Sequence, residues 1–142
     1  MPVSVRRIWG LFGERRGLGR VEQNLAVSFV VLAGSTGEPV GPAQAARMVN
    51  LSAGGGCLAV AGLALGAFHL FRCLETPEEH PLVVTVPTRG GLAWRLRGQI
   101  RWTNREMQPE DGTLPFRVGL QWESGAGPPA DWRRQLALTT GD

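Results

Sequence analysis

The residues with the most chemistry to offer fall in two short segments, Glu14-Arg15-Arg16-Gly17-Leu18-Gly19-Arg20 and Asn50-Leu51-Ser52-Ala53-Gly54-Gly55. Arg16 and Arg20 are forked cations four residues apart, with Arg15 beside them. Each guanidinium presents a bidentate donor edge to a phosphate and a flat face to a base. Gly17 and Gly19 disfavour helix, so this segment reads as a turn-like arm whose arginines close around an anion from two directions. Asn50 and Ser52 supply short hydrogen-bonding side chains, and Gly54 and Gly55 let a ligand approach the backbone. The chemistry is recognition of an anionic, base-bearing molecule.

No catalytic constellation stands beside these segments. His69 and His80 are not spaced with Cys57 or Cys73 as nucleophile partners or metal ligands, and there is no CxxC pair. Ser28, Ser35 and Ser52 lie in no nucleophile motif. Glu78-Glu79 reads as a solvated loop rather than an acid/base pair. No enzyme activity, metal or cofactor is expected. The two cysteines read as buried thiols of a reducing compartment.

The chain has 142 residues and a mass of 15.3 kDa, enough for one core and little more. Hydrophobic residues at 43% and charged residues at 19% exclude disorder for the bulk of it. All 15 basic residues are Arg, yet the net charge is only +3, which argues against a polybasic nucleic-acid binder. The run from Met48 to Phe71 is uncharged and holds Gly62 and Gly66 in a GxxxG pattern. Its length suits a membrane span. Its content, with Asn50, Ser52, His69 and Gly54-Gly55-Gly56, does not. The first sixteen residues lack the apolar core and cleavage site of a signal peptide. A cytoplasmic protein without a membrane span is expected.

Strands must position the two segments. The 20 glycines and 10 prolines disfavour a helical bundle. Leu92 to Trp102 alternates strictly: Leu92, Trp94, Leu96, Ile100 and Trp102 on one face, Arg95, Arg97, Gln99 and Arg101 on the other. Phe116 to Glu123 alternates in the same way, and the polar stretch Thr103 to Pro115 between them makes a hairpin with a long loop. Further strands are expected at Val21 to Leu32, Ala45 to Leu51, Cys57 to Val60, Ala67 to Leu74 and Leu82 to Val86. Pro128 to Leu138 allows a short helix capped by Asp131. Trp94, Trp102 and Trp122 are expected in the core, with Trp9 and Trp132 as contact residues. Short antiparallel strands and a late helix make an all-β fold, a small barrel.

In this order and flanking strands, the two segments resemble the PilZ domain family, bacterial receptors for cyclic di-GMP. Arg16-xxx-Arg20 is similar to that family's RxxxR motif, and Asn50-x-Ser52-xx-Gly55 to its (D/N)xSxxG motif. Gly98-Gln99-Ile100-Arg101-Trp102 and Val118-Gly119-Leu120-Gln121-Trp122 resemble its late strand pair. The likeness runs from about Glu14 to Glu123. It implies a six-stranded antiparallel PilZ-like β-barrel with a short C-terminal helix and ligand on its outer surface. It assigns Arg16 and Arg20 to the phosphates and guanine, Asn50 and Ser52 to a guanine edge, Gly55 to a low wall, and Arg15 to stoichiometry. The chain departs from the family in the glycines within RxxxR and in a long segment from Gly62 to Gly91. Its acidic, Pro-containing stretch from Glu75 to Pro81 is expected to form an extended hairpin loop.

The resulting division is an N-terminal arm over 1–13, a barrel with its helix over 14–138 and a tail over 139–142. The expected role is a cyclic di-GMP receptor whose arm, ordered by ligand, presents Ile8, Trp9, Leu11 and Phe12 to a downstream protein partner. A homodimer is compatible with this. Two other readings are a PilZ-like protein adaptor that binds no nucleotide and a small barrel binding single-stranded nucleic acid. Salt dependence separates the last from a receptor, since nucleic-acid binding weakens far more steeply with salt than binding of a two-phosphate ligand.

Overall fold

The computed structural model describes residues 21–88, 92–105, 114–132 and 134. Six strands close into an antiparallel barrel: β1 (Val21–Val31), β2 (Gln44–Leu51), β3 (Gly55–Val60), β6 (Leu82–Val86), β7 (Trp94–Arg105) and β8 (Phe116–Trp122). Their order around the barrel is β1-β2-β3-β8-β7-β6, and β6 pairs back onto β1. The expected six-stranded antiparallel barrel is therefore the fold observed.

The interior follows from alternation. Leu25, Val27, Phe29 and Val31 of β1 meet Ala46, Met48, Leu51, Leu58, Val84, Leu96, Ile100, Val118 and Leu120 in one core. Trp122 also turns inward, and its ring is seated against three glycines: a Cβ on Gly98 would come within 2.8 Å of it, and one on Gly56 or on Gly127 within 3.0 Å. Side chains thus fill a barrel of this size.

The segment between β3 and β6 departs from expectation. Instead of a strand over Ala67 to Leu74, the chain makes a two-residue hairpin, β4 (Ala64–Leu65) and β5 (Phe68–His69), and then helix α1 (Phe71–Glu75). Gly66, at φ +66°, turns the hairpin in a conformation that suits glycine. Leu70 and Cys73 are both fully buried, and their spacing of three belongs to a helix rather than a strand. The expected extended loop is replaced by a 3-10 turn over Pro77–Glu79. Gly34 donates its N–H to the Glu79 carbonyl at 2.8 Å, and Leu32 donates to Pro81 at 2.9 Å. With Leu63, Leu65, Phe68, Leu70 and Cys73 in the core, this excursion plugs the barrel at the end where β6 begins.

Trp132 is a second correction. It is buried in the core rather than a contact residue. It begins a helical turn, with its N–H on the Pro129 carbonyl and the Arg134 N–H on that of Asp131. The rest of the expected C-terminal helix, like the arm with Trp9, lies outside the described residues. No described helix is long and apolar enough to cross a membrane; the uncharged run contributes to β2, β3, β4 and β5.

Candidate functional site

In a regular strand, residues two apart share a face. Met48 points into the core, so Asn50 would follow it inward. It does not, because the β2–β3 register shifts between Met48 and Asn50, leaving Val49 as the extra residue. Asn50 then pairs with Cys57, while Leu51 pairs with Gly56 and takes the inward place. The same event occurs on β7. Ile100 points inward, and a shift between Ile100 and Trp102 makes Arg101 the extra residue. Trp102 thereby pairs with Gly119, whose neighbours Val118 and Leu120 are both core residues. The Trp102 indole lies across the outer face of Gly119, where a Cβ would fall 2.0 Å from ring carbon Cε2. The expected core position of Trp102 is thus corrected, and the cause is the bulge.

Two bulges have therefore re-aimed one amide and one indole onto a single row of the outer surface, Asn50–Cys57–Gly119–Trp102, across β2, β3, β8 and β7. A third register shift, between Glu22 and Leu25 on β1, lies where that strand pairs with the same end of β2. Bulges commonly serve to redirect side chains at sites. Between Asn50 and Trp102 the floor is small-sided, Cys57 and Gly119, and Cys57 is only 1% exposed. Asn50 Oδ1 is buried and has no hydrogen-bond partner among the described residues. A buried acceptor left unmade costs about 1–3 kcal/mol, so a donor arriving there is favoured.

The Ser52–Gly55 turn closes the end of this row. The Ser52 N–H donates to the Gly55 carbonyl at 2.8 Å. The Ser52 hydroxyl accepts from the Gly55 N–H at 3.2 Å and donates to the Gly55 carbonyl at 3.3 Å. The SxxG spacing thus has a physical basis: serine and glycine staple the turn between β2 and β3. Trp122 clasps it, its Nε1 donating to the Ser52 carbonyl at 3.1 Å and its N–H to that of Gly54 at 2.9 Å. The two glycines differ. Gly55 is buried against β8, and a Cβ there would sit 2.2 Å from the Leu120 carbonyl oxygen. Gly54 is exposed with open space where a Cβ would be.

Beside this row runs a second one, Gly55–Gln121–Gln99. The Arg101 Nε donates to Gln121 Oε1 at 2.7 Å. Further along β7, Arg97 pairs with Glu123 at 2.9 Å.

Of the residues expected at the site, Asn50, Ser52, Gly54 and Gly55 come together at this end of β2 and β3. Arg15, Arg16 and Arg20 lie outside the described residues. Val21 pairs with Leu51 and Glu22 with Asn50, so the chain enters β1 beside the Asn50–Ser52 end of β2. The sequence reading put Trp102 in the core and did not single out Gln121; it took Arg101, with Arg95 and Arg97, as a basic stripe on a solvated barrel face, with phosphate or partner contact as the alternative. Strict alternation predicts no bulge; Gly119, in an otherwise apolar alternating strand, was the one available signal that a large ring lies above it.

No family model matches the chain, and no curated protein matches it. Among solved structures, the Bacillus subtilis inhibitor of motility MotI/DgrA aligns over 89% of this chain at 17% identity, with a TM-score of 0.49. The chain spans about half that protein's length, 48%. The PilZ domain of CeSA from a cellulose-synthesizing bacterium aligns over 86% of this chain and 95% of its own, at 15% identity and a TM-score of 0.40.

Proposed function

We propose that the protein is a receptor for cyclic di-GMP that binds its ligand on the outer barrel face between Asn50 and Trp102. The observation that carries this reading is the pair of bulges at Val49 and Arg101, which turn an amide and an indole outward onto one small-floored row. Asn50 Oδ1 accepts from the donor edge of guanine, the partner it lacks among the described residues. Trp102 offers a face on which a second base stacks. From β2 to β7 is three strand spacings, about 14 Å around the surface. A mononucleotide has one base to offer, whereas a ligand with two purines can set one at Asn50 and the other on Trp102. Arg16 and Arg20, with Arg15 beside them, take the phosphates. Gly54 leaves the rim open, and the Ser52–Gly55 staple holds Asn50 in register.

The signal passes through the N-terminal arm. Arginines that close on the phosphates order the residues before β1 and change the surface that Ile8, Trp9, Leu11 and Phe12 offer to a protein partner. On this reading the protein is a non-enzymatic adaptor of the bacterial cytoplasm.

Isothermal titration calorimetry with cyclic di-GMP tests the reading on wild type, Arg16→Ala, Arg20→Ala and Asn50→Ala. We expect micromolar or tighter binding by wild type and a roughly 10- to 150-fold loss in each variant, the range for one charge-assisted hydrogen bond of 1.5–3 kcal/mol. Absence of binding by folded wild type overturns it and leaves the nucleotide-free adaptor.

A further inference from the structure

The outward arginines of β7 and β8 are held in different ways. Arg97 is neutralised by Glu123. Arg117 donates to the Leu114 carbonyl at 2.6 Å, and Arg105 lies over the Phe116 ring. Arg101 is held by a neutral group, Gln121 Oε1, so it is oriented without losing its charge. The bond uses Nε and not the Nη pair that forms the fork. Both side chains are exposed, and Arg101 is the bulge residue immediately before Trp102. Gln121 sits opposite Gly55, on the margin of the Ser52–Gly55 turn. Gln121 Oε1 accepts from Arg101 Nε and so fixes the direction in which the Arg101 Nη pair points.

The two sides of the site therefore demand opposite things. The Asn50 side holds an acceptor awaiting a donor. The Arg101 side holds a fork of donors, and its complement is an edge that presents two acceptors. Guanine has such an edge in O6/N7; the corresponding edge of adenine carries an amino donor. We propose that the Arg101–Gln121 pair reads the O6/N7 edge of a guanine and selects guanine over adenine in a cyclic dinucleotide. The proposal rests on the receptor reading above.

The experiment compares cyclic di-GMP with cyclic di-AMP, at one salt concentration, on wild type, Arg101→Ala, Arg101→Lys and Asn50→Ala. Arg101 is exposed, so its variants should fold normally, which circular dichroism verifies. We expect Arg101→Ala to weaken cyclic di-GMP about 5- to 150-fold, the range for a lost bidentate contact to guanine. Cyclic di-AMP binding should stay where it was, so the preference for guanine narrows. Arg101→Lys keeps the charge but not the fork, and should not restore that preference. Equal loss for both ligands in Arg101→Ala would make Arg101 a general anion contact and overturn the proposal. So would unchanged cyclic di-GMP binding in Arg101→Ala while Asn50→Ala weakens it, a result that leaves the receptor reading standing. Wild type that binds no cyclic di-GMP removes both.

Discussion

At one end of the barrel, Leu63, Leu65, Phe68, Leu70 and Cys73 fold inward and seal it with apolar side chains alone. On the outer face near the other end, strands of the same barrel hold Asn50 and Trp102 over a floor of Cys57 and Gly119. The plug obeys packing at each step: apolar residues at helical spacing, a tight hairpin turn at Gly66, and backbone bonds from Gly34 and Leu32 that anchor it. The outer row exists because alternation is broken, at Val49 and at Arg101. A regular ladder would send Asn50 and Trp102 into the core, out of reach of any ligand. Burial builds the plug; local violations of the strand period build the site.

The largest effect should separate the two regions. Leu70→Ala leaves a cavity in the plug and should cost about 2–5 kcal/mol, the range for a buried leucine. Denaturant unfolding measures it. Cyclic di-GMP affinity, measured where the variant is folded, should be unchanged; a matching loss of affinity would mean the plug and the row are one unit.

Gly55→Ala should be next. Its Cβ meets backbone, the Leu120 carbonyl oxygen, which moves only if the β3–β8 ladder moves. A loss of about 1–3 kcal/mol is expected from overpacking. Gly54→Ala, with open space for its Cβ, should leave stability within about 0.5 kcal/mol. Equal losses at the two positions would break the distinction between a glycine required by backbone approach and one that only clears the rim.

The smallest effect concerns pH and the plug alone. Burial pushes the Cys73 thiol up from 9.0 to about 12, with the Arg72 charge pulling weakly the other way. The unfolded thiol ionises above pH 9 while the folded one stays protonated. The unfolded state then binds fewer protons, so stability falls as pH rises. Between pH 8 and pH 10 the wild type should lose about 1 kcal/mol more than Cys73→Ala. Identical pH profiles would show that the thiol is not sealed in the plug.

Most of the barrel was legible because its strands alternate. Val21 to Val31, Leu82 to Val86 and Phe116 to Trp122 fall within a residue or so of expectation, since period two with β-branched and aromatic residues leaves few other solutions. The plug was misread because Ala67 to Leu74 is apolar throughout, and such a run suits strand or helix until one knows what it must cover. Asn50, Ser52, Gly54 and Gly55 were singled out through their spacing, and the staple between Ser52 and Gly55 accounts for the SxxG part of it. Gln121 and Trp102 were not, because each belongs to a pattern that reads as ordinary strand, and Arg101 read first as one of a solvated stripe of arginines.

The amino-acid sequence by itself determined the strand periods, the turn residues and the local SxxG staple, all short-range properties of neighbouring residues. Only the tertiary structure decided on which side of the barrel wall Asn50 and Trp102 lie. A bulge is set by the register of one strand against another, and a slip of one residue turns a side chain from core to surface.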